Sequence, residues 1–236
     1  MKWLNKSINK SKRLKDTYSL HDIEIFIKDQ MPDHIDMDFV LKYIKIRIPA
    51  NLLRGVDMIY VGKFKDLEDK EANALYADGA IYLTNDQDDD KDLIDDIIHE
   101  IAHSIEGLYG HGIYEDGAVI REFLSKRKRL YVDLKANDYA PPLELQFKTE
   151  YVQEIDDYLY KEVTYEAMWH FVGGLFPSPY AATSVREYFA RGFEEYTMDN
   201  KRELKQLCPV LYNKIEALYK LEEQWKSTFL IQNLKL

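Results

Sequence analysis

Apolar and polar residues follow two different periods along this chain. From Phe39 to Pro49 ("FVLKYIKIRIP") they alternate, and Ile, Val and Tyr dominate. That pattern predicts a half-buried strand stopped by Pro49. "VDMIYVGKF" and "GAIYLTN" predict two more strands, the second opened by Gly79 and closed by Asn85-Asp86. "LHDIEIFIKDQ", ending at Gln30, fits either a short helix or a strand. Further on the period lengthens. Leu93, Ile94, Ile97, Ile98, Ile101, Ala102, Ile105 and Leu108 form a stripe at helical spacing. Acids crowd the segment from Asp86 to Asp92, where they suit the positive end of that helix. From about Asp116 the chain reads as mostly helical, with breaks at "NDYAPP", "GGLFPSP" and "LCPVL". A last helix has Pro209 in its first turn and runs to about Trp225. Strands first and helices later is an α+β order.

Length and composition narrow the picture. The 236 residues contain no internal repeat and no low-complexity linker, so one domain spanning 1–236 is expected. A hydrophobic share of 46% is enough for a real core. The net charge of −10 argues against a general nucleic-acid binder. Cys208 is the only cysteine, which excludes an internal disulfide and a thiol zinc site, so any metal is expected to use His, Asp or Glu. The first residues, "MKWLNKSINKSKRLK", carry no acid before Asp16 and lack the apolar core of a secretory signal. They read as a basic arm over residues 1–17 that can dock a protein partner. No run is apolar enough to span a membrane, so the expected location is cytoplasmic, or reached by a route without a signal peptide.

Candidate chemistry sits on the isoleucine-striped helix. His99-Glu100-Ile101-Ala102-His103 is an H-E-x-x-H pattern. Residues four apart rise on one helical face, so both imidazoles can meet one ion with a carboxylate beside it. Zinc held this way with one open position lowers the pKa of its water to roughly 7. Glu100 would then take that water's proton as it attacks a carbonyl. The plainer alternative is a partly buried helix carrying two hydrogen-bonded histidines.

A catalytic zinc takes a third protein ligand. The extension H-E-x-x-H-x-x-G-x-x-H is out of register here, because Glu106 and Tyr109 occupy its glycine and histidine positions. His111 is therefore expected in a loop. Glu106, on the ligand face, suits either a hydrogen bond near the site or a solvated acid. Two later glutamates remain. Glu122, in "DGAVIREFLSKRK", has nearly a thermolysin-like spacing, but Lys126 stands where a supporting acid belongs. Its alternative is a solvent-facing acid. Glu187 lies in "SPYAATSVREYFARGFEEYT", seven residues after Tyr180 and followed by Tyr188-Phe189-Ala190. "KRKRLY" around Arg127 reads as a solvated helix face, and His170 in "AMWHFVGG" as a packed histidine.

The Tyr180 to Tyr196 segment, the "GAIYLTN" strand and the histidine helix together resemble the metalloprotease domain of anthrax lethal factor and its relatives, including secreted proline-specific endopeptidases. The resemblance covers well under half of the chain, and Arg191 stands where the family has an acid. It implies a zincin-like fold with a small, mainly antiparallel sheet followed by a helical lobe. It also implies His99, His103 and Glu187 as zinc ligands, Glu100 as base and Tyr180 as a donor to the transition state. "AIYLTN" would be the edge strand that binds an extended peptide. The expected function is a zinc-dependent endopeptidase acting on a peptide or protein. The alternatives are a regulatory protease with one partner as substrate, and a silent or structural protein that keeps a zinc site within an assembly.

Overall fold

Five short strands form one sheet in the first half of the chain: β1 (Tyr18–Leu20), β2 (Ile23–Ile27), β3 (Met58–Val61), β4 (Ala74–Ala77) and β5 (Ala80–Leu83). The computed structural model describes residues 18–233, with side chains to residue 221; the basic arm expected over 1–17 lies outside them. "LHDIEIFIKDQ" is the β1–β2 hairpin. The strand order is β1-β2-β3-β5-β4. The sheet is mixed, not mainly antiparallel: β2–β3 and β3–β5 are parallel, while β1–β2 and β4–β5 are antiparallel. Parallel neighbours need crossovers. Helix α1 (Met37–Arg47) lies within the first crossover, and α2 (Lys65–Lys70) with β4 within the second.

Helix α1 replaces the strand expected from Phe39 to Pro49. Asp36 caps it, accepting a hydrogen bond from the Phe39 N–H at 3.0 Å. Met37, Val40, Leu41, Ile44 and Ile48 are buried at helical spacing. The alternation from Ile44 to Ile48 is too short to set the period, and Ile46 is 71% exposed. The cap and the longer helical spacing outweigh it.

One sheet face buries Ile25, Ile59, Ile81 and Leu83. The other carries Phe26, Tyr60 and Tyr82 in register across three strands, with ring centroids 6.1 and 5.3 Å apart. Helix α3 (Asp90–Tyr114) follows, its first turn held by Asp89, which accepts from the Lys91 and Asp92 N–H groups at 2.7 and 3.0 Å. Its stripe is buried at Leu93, Ile94, Ile97, Ile98, Ile101, Ala102 and Ile105. Each large apolar side chain contributes about 1.5–3 kcal/mol. Only Leu108, 53% exposed, leaves the stripe. The helix continues through Gly107, Gly110 and Gly112, so His111 lies in its last turn and not in a loop, pairing with Glu115 at 2.9 Å. Buried Ile113 anchors that turn, and Lys214 donates to the Gly112 carbonyl at 2.9 Å.

The chain divides into two compact units, Met1–Ile105 and Glu106–Leu236, and the division falls inside α3. The second unit is helical: α4 (Ala118–Ala136), α5 (Gln153–Asp157), a π-helical turn (Tyr158–Thr164), α6 (Tyr165–Val172), α7 (Val185–Thr197), α8 (Lys201–Leu207) and α9 (Pro209–Asn233). Phe123, Phe176 and Tyr188 pack ring against ring with centroids 5.5–5.9 Å apart. Gly192 lets α7 approach α9, since a Cβ there would lie 2.3 Å from Leu211 Cδ2. Two sequence expectations change in this unit. Arg127 is fully buried instead of solvated: it donates to the Lys148 carbonyl at 2.7 Å and lies over the Phe123 ring. Burial lowers its pKa to about 10. His170 is exposed, because it falls on the outer side of α6, while Met168 and Val172 face inward.

Candidate metal centre

Helix α3 supplies the first two candidate ligands. His99 and His103 are both half-buried, beside the buried stripe rather than on it. Their ring centroids are 4.9 Å apart and the rings nearly perpendicular, at 84°. Glu187 comes from the first turn of α7. Ser184 caps that helix, accepting from the Glu187 N–H at 3.2 Å. The spacing Ser184-x-x-Glu187 is that of a capping box. Among the described residues, His99, His103 and Glu187 form a group whose ligand atoms, one from each, all lie within 4.8 Å of one another. Two imidazoles, one carboxylate and no thiolate are a donor set that suits zinc with an open coordination position.

No protein family, curated protein or solved structure matches this chain.

Glu122 has a different task. Its carboxylate accepts from the Val210 and Leu211 N–H groups, both at 3.0 Å, and from the Tyr188 hydroxyl at 2.9 Å. It therefore caps α9 and is not a solvent-facing acid. Lys126, one turn on, donates to the Leu175 and Leu207 carbonyls, each at 2.7 Å. Nearby Cys208 is buried, and burial pushes its thiol up to about 11, so it stays protonated at neutral pH.

Glu100 is only 6% exposed. Its Oε2 accepts from the Tyr76 N–H at 2.5 Å, and the Tyr76 hydroxyl donates to the Gly55 carbonyl at 2.8 Å. Tyr76 lies on β4, one of the two edge strands of the sheet. The edge strand expected at "AIYLTN" is instead β5, paired on both sides. Its run of apolar residues reads the same whether one flank is paired or two. The bond from the Thr84 N–H to the Asn73 carbonyl sets the β4–β5 register, so Ala74 and Tyr76 turn their backbone groups away from β5. The Tyr76 N–H that reaches Glu100 is one of these outward groups. One turn before His99, burial raises the Asp96 carboxyl to about 6, and the Gln87 amide at 3.0 Å partly offsets this.

Tyr180 is 39% exposed, on a 3-10 turn (Tyr180–Ala182) just before α7. The turn is fixed from two sides. The Thr183 hydroxyl donates to the Tyr180 carbonyl at 2.8 Å, and the Ala181 N–H donates to Ser178 Oγ at 3.3 Å. Ser178 Oγ also accepts from Arg191 Nε at 3.2 Å, while Arg191 Nη1 pairs with buried Glu194 at 2.7 Å. Arg191 thus helps hold the turn that carries Tyr180. Neither the Tyr76 contact nor the role of Arg191 is visible in the sequence, because each depends on a partner distant along the chain or on a loop conformation.

Proposed function

We propose that this protein is a zinc-dependent endopeptidase with a zincin-like fold. The observation that carries the reading is the convergence of His99, His103 and Glu187 within 4.8 Å, with Glu100 next to His99 on the same helix. The α+β order, with a small mixed sheet ahead of a helical unit, is compatible with it. Zinc held by these three residues would polarise a substrate carbonyl and acidify a water molecule. Glu100 accepts the proton of the attacking water as its oxygen bonds to the carbonyl carbon, then delivers that proton to the nitrogen as the C–N bond breaks. Buried beside apolar residues and held by the Tyr76 N–H, Glu100 has a fixed orientation for both transfers. The outward backbone groups of Ala74 and the Tyr76 carbonyl offer an extended peptide partners to pair with, while the Tyr76 N–H is taken by Glu100.

Two measurements test this reading. Purified protein should contain one zinc per chain, lost in His99→Ala and in His103→Ala. It should also cleave members of a peptide library. Folded protein that refuses added zinc sinks the proposal, and zinc-loaded protein that cuts neither the library nor any component of a lysate leaves a metal site without a peptidase.

Tyr180 is assigned as the donor to the developing oxyanion. Its exposed ring on a braced turn permits this, and Tyr180→Phe removes only the hydroxyl. Folding and zinc content should hold, while kcat falls by about 10²–10³ and KM changes little. Steady-state kinetics on a cleaved peptide decides it; a variant within a few-fold of wild type makes Tyr180 a packing residue.

A further inference from the structure

Glu106 lies three residues after His103, on the same face of α3. Its side chain is only 8% exposed, and each carboxylate oxygen has a partner. Oε1 accepts from the Tyr114 hydroxyl, and Oε2 from Arg186 Nε at 3.2 Å. Burial first, and the Glu106 charge second, push the Tyr114 phenol well above its usual range, so it remains a donor. Arg186 is the residue immediately before Glu187, in the first turn of α7. The contact spans 80 positions of sequence and falls beside a candidate ligand at both ends: three residues from His103, one from Glu187.

We infer that Glu106 and Arg186 form a positioning pair that sets where the α7 first turn holds Glu187. The inference rests on the zinc reading of His99, His103 and Glu187. Neither residue is a ligand in it. A nearly buried carboxylate fixes the Arg186 guanidinium, and the rigid helical turn passes that placement to the next residue. Tyr114 locks the carboxylate rotamer from its other oxygen. A salt bridge with one partner 61% exposed adds little to global stability, so its effect should appear in metal binding and not in folding.

Zinc affinity measured by chelator competition tests this, alongside the thermal midpoint of each zinc-free protein. Arg186→Ala should weaken zinc binding about 10–100-fold, the usual range for partners that orient metal ligands, while its zinc-free midpoint stays within a few degrees of wild type. Arg186→Lys keeps the charge and should recover part of the loss. Glu106→Gln combined with Arg186→Ala should be no weaker than the worse single variant, because both remove one interaction. Arg186→Ala within threefold of wild type overturns the inference, as does a double variant whose losses multiply, or a lower midpoint with unchanged affinity. If Glu106→Gln does not fold, the exposed Arg186 variants still decide. Wild type that binds no zinc removes the underlying reading as well, whereas wild type that binds zinc as tightly as Arg186→Ala removes only the positioning pair.

Discussion

Glu100→Gln is expected to keep its zinc and its fold and to lose nearly all turnover, a fall of about 10²–10⁴ in kcat. The fold should hold because a glutamine carbonyl can take the Tyr76 N–H in place of Oε2, and the two side chains fill the same buried volume. Zinc should stay because Glu100 is not among the three residues that converge on the candidate metal position. What the amide cannot do is accept the water's proton and return it to the leaving nitrogen. Zinc content by elemental analysis, with kinetics on a cleaved peptide, separates these effects. Proteome-wide identification of cleaved peptides with wild type against this variant would also reveal the substrate. A zinc-loaded variant within tenfold of wild type would remove Glu100 from the role of base.

The second large effect is a crossed outcome for two glutamates. Glu187→Ala should weaken zinc binding by more than about 100-fold, beyond the range for orienting partners. Its zinc-free fold should change little, since Ser184 still caps α7 through the backbone N–H of residue 187. Glu122→Ala should do the reverse. It leaves the Val210 and Leu211 N–H groups and the Tyr188 hydroxyl without their common acceptor, at a cost of about 3 kcal/mol. For a chain of this size that lowers the thermal midpoint by roughly 6–12 °C. Zinc affinity of the folded Glu122→Ala protein should match wild type. Chelator competition and thermal unfolding on both variants test the pair. A Glu122→Ala protein that keeps its stability and loses its zinc would restore the thermolysin-like assignment.

Local signals were legible where one residue's neighbours in sequence are also its neighbours in space. The isoleucine stripe and the spacing of His99 and His103 describe one helix, and both emerge there as read. β3 and β5 appear within the stretches "VDMIYVGKF" and "GAIYLTN" that predict strands. Pro209 opens the last helix because its missing N–H costs nothing at the first helical position. The same local reading failed from Phe39 to Pro49. There, five residues of alternation competed with a helical period whose decisive member, Met37, and whose cap, Asp36, lie before the stretch.

The sequence by itself therefore determined the α+β order, the presence of a helix with two imidazoles on one face, and a donor set limited to nitrogen and oxygen ligands. It left Glu122 and Glu187 open, because both are single carboxylates on helices far along the chain. In the tertiary structure Glu122 goes to the first turn of α9, while His99, His103 and Glu187 each offer one ligand atom, all within 4.8 Å of one another. Strand direction and the identity of the edge strand were likewise decided in three dimensions, since a strand's side-chain pattern records which face is buried and not which neighbour its backbone pairs with. The burial of Arg127 and the partnership of Glu106 with Arg186 belong to the same class. A charged residue looks solvated in sequence until its partner, in the second case 80 positions away, arrives by folding.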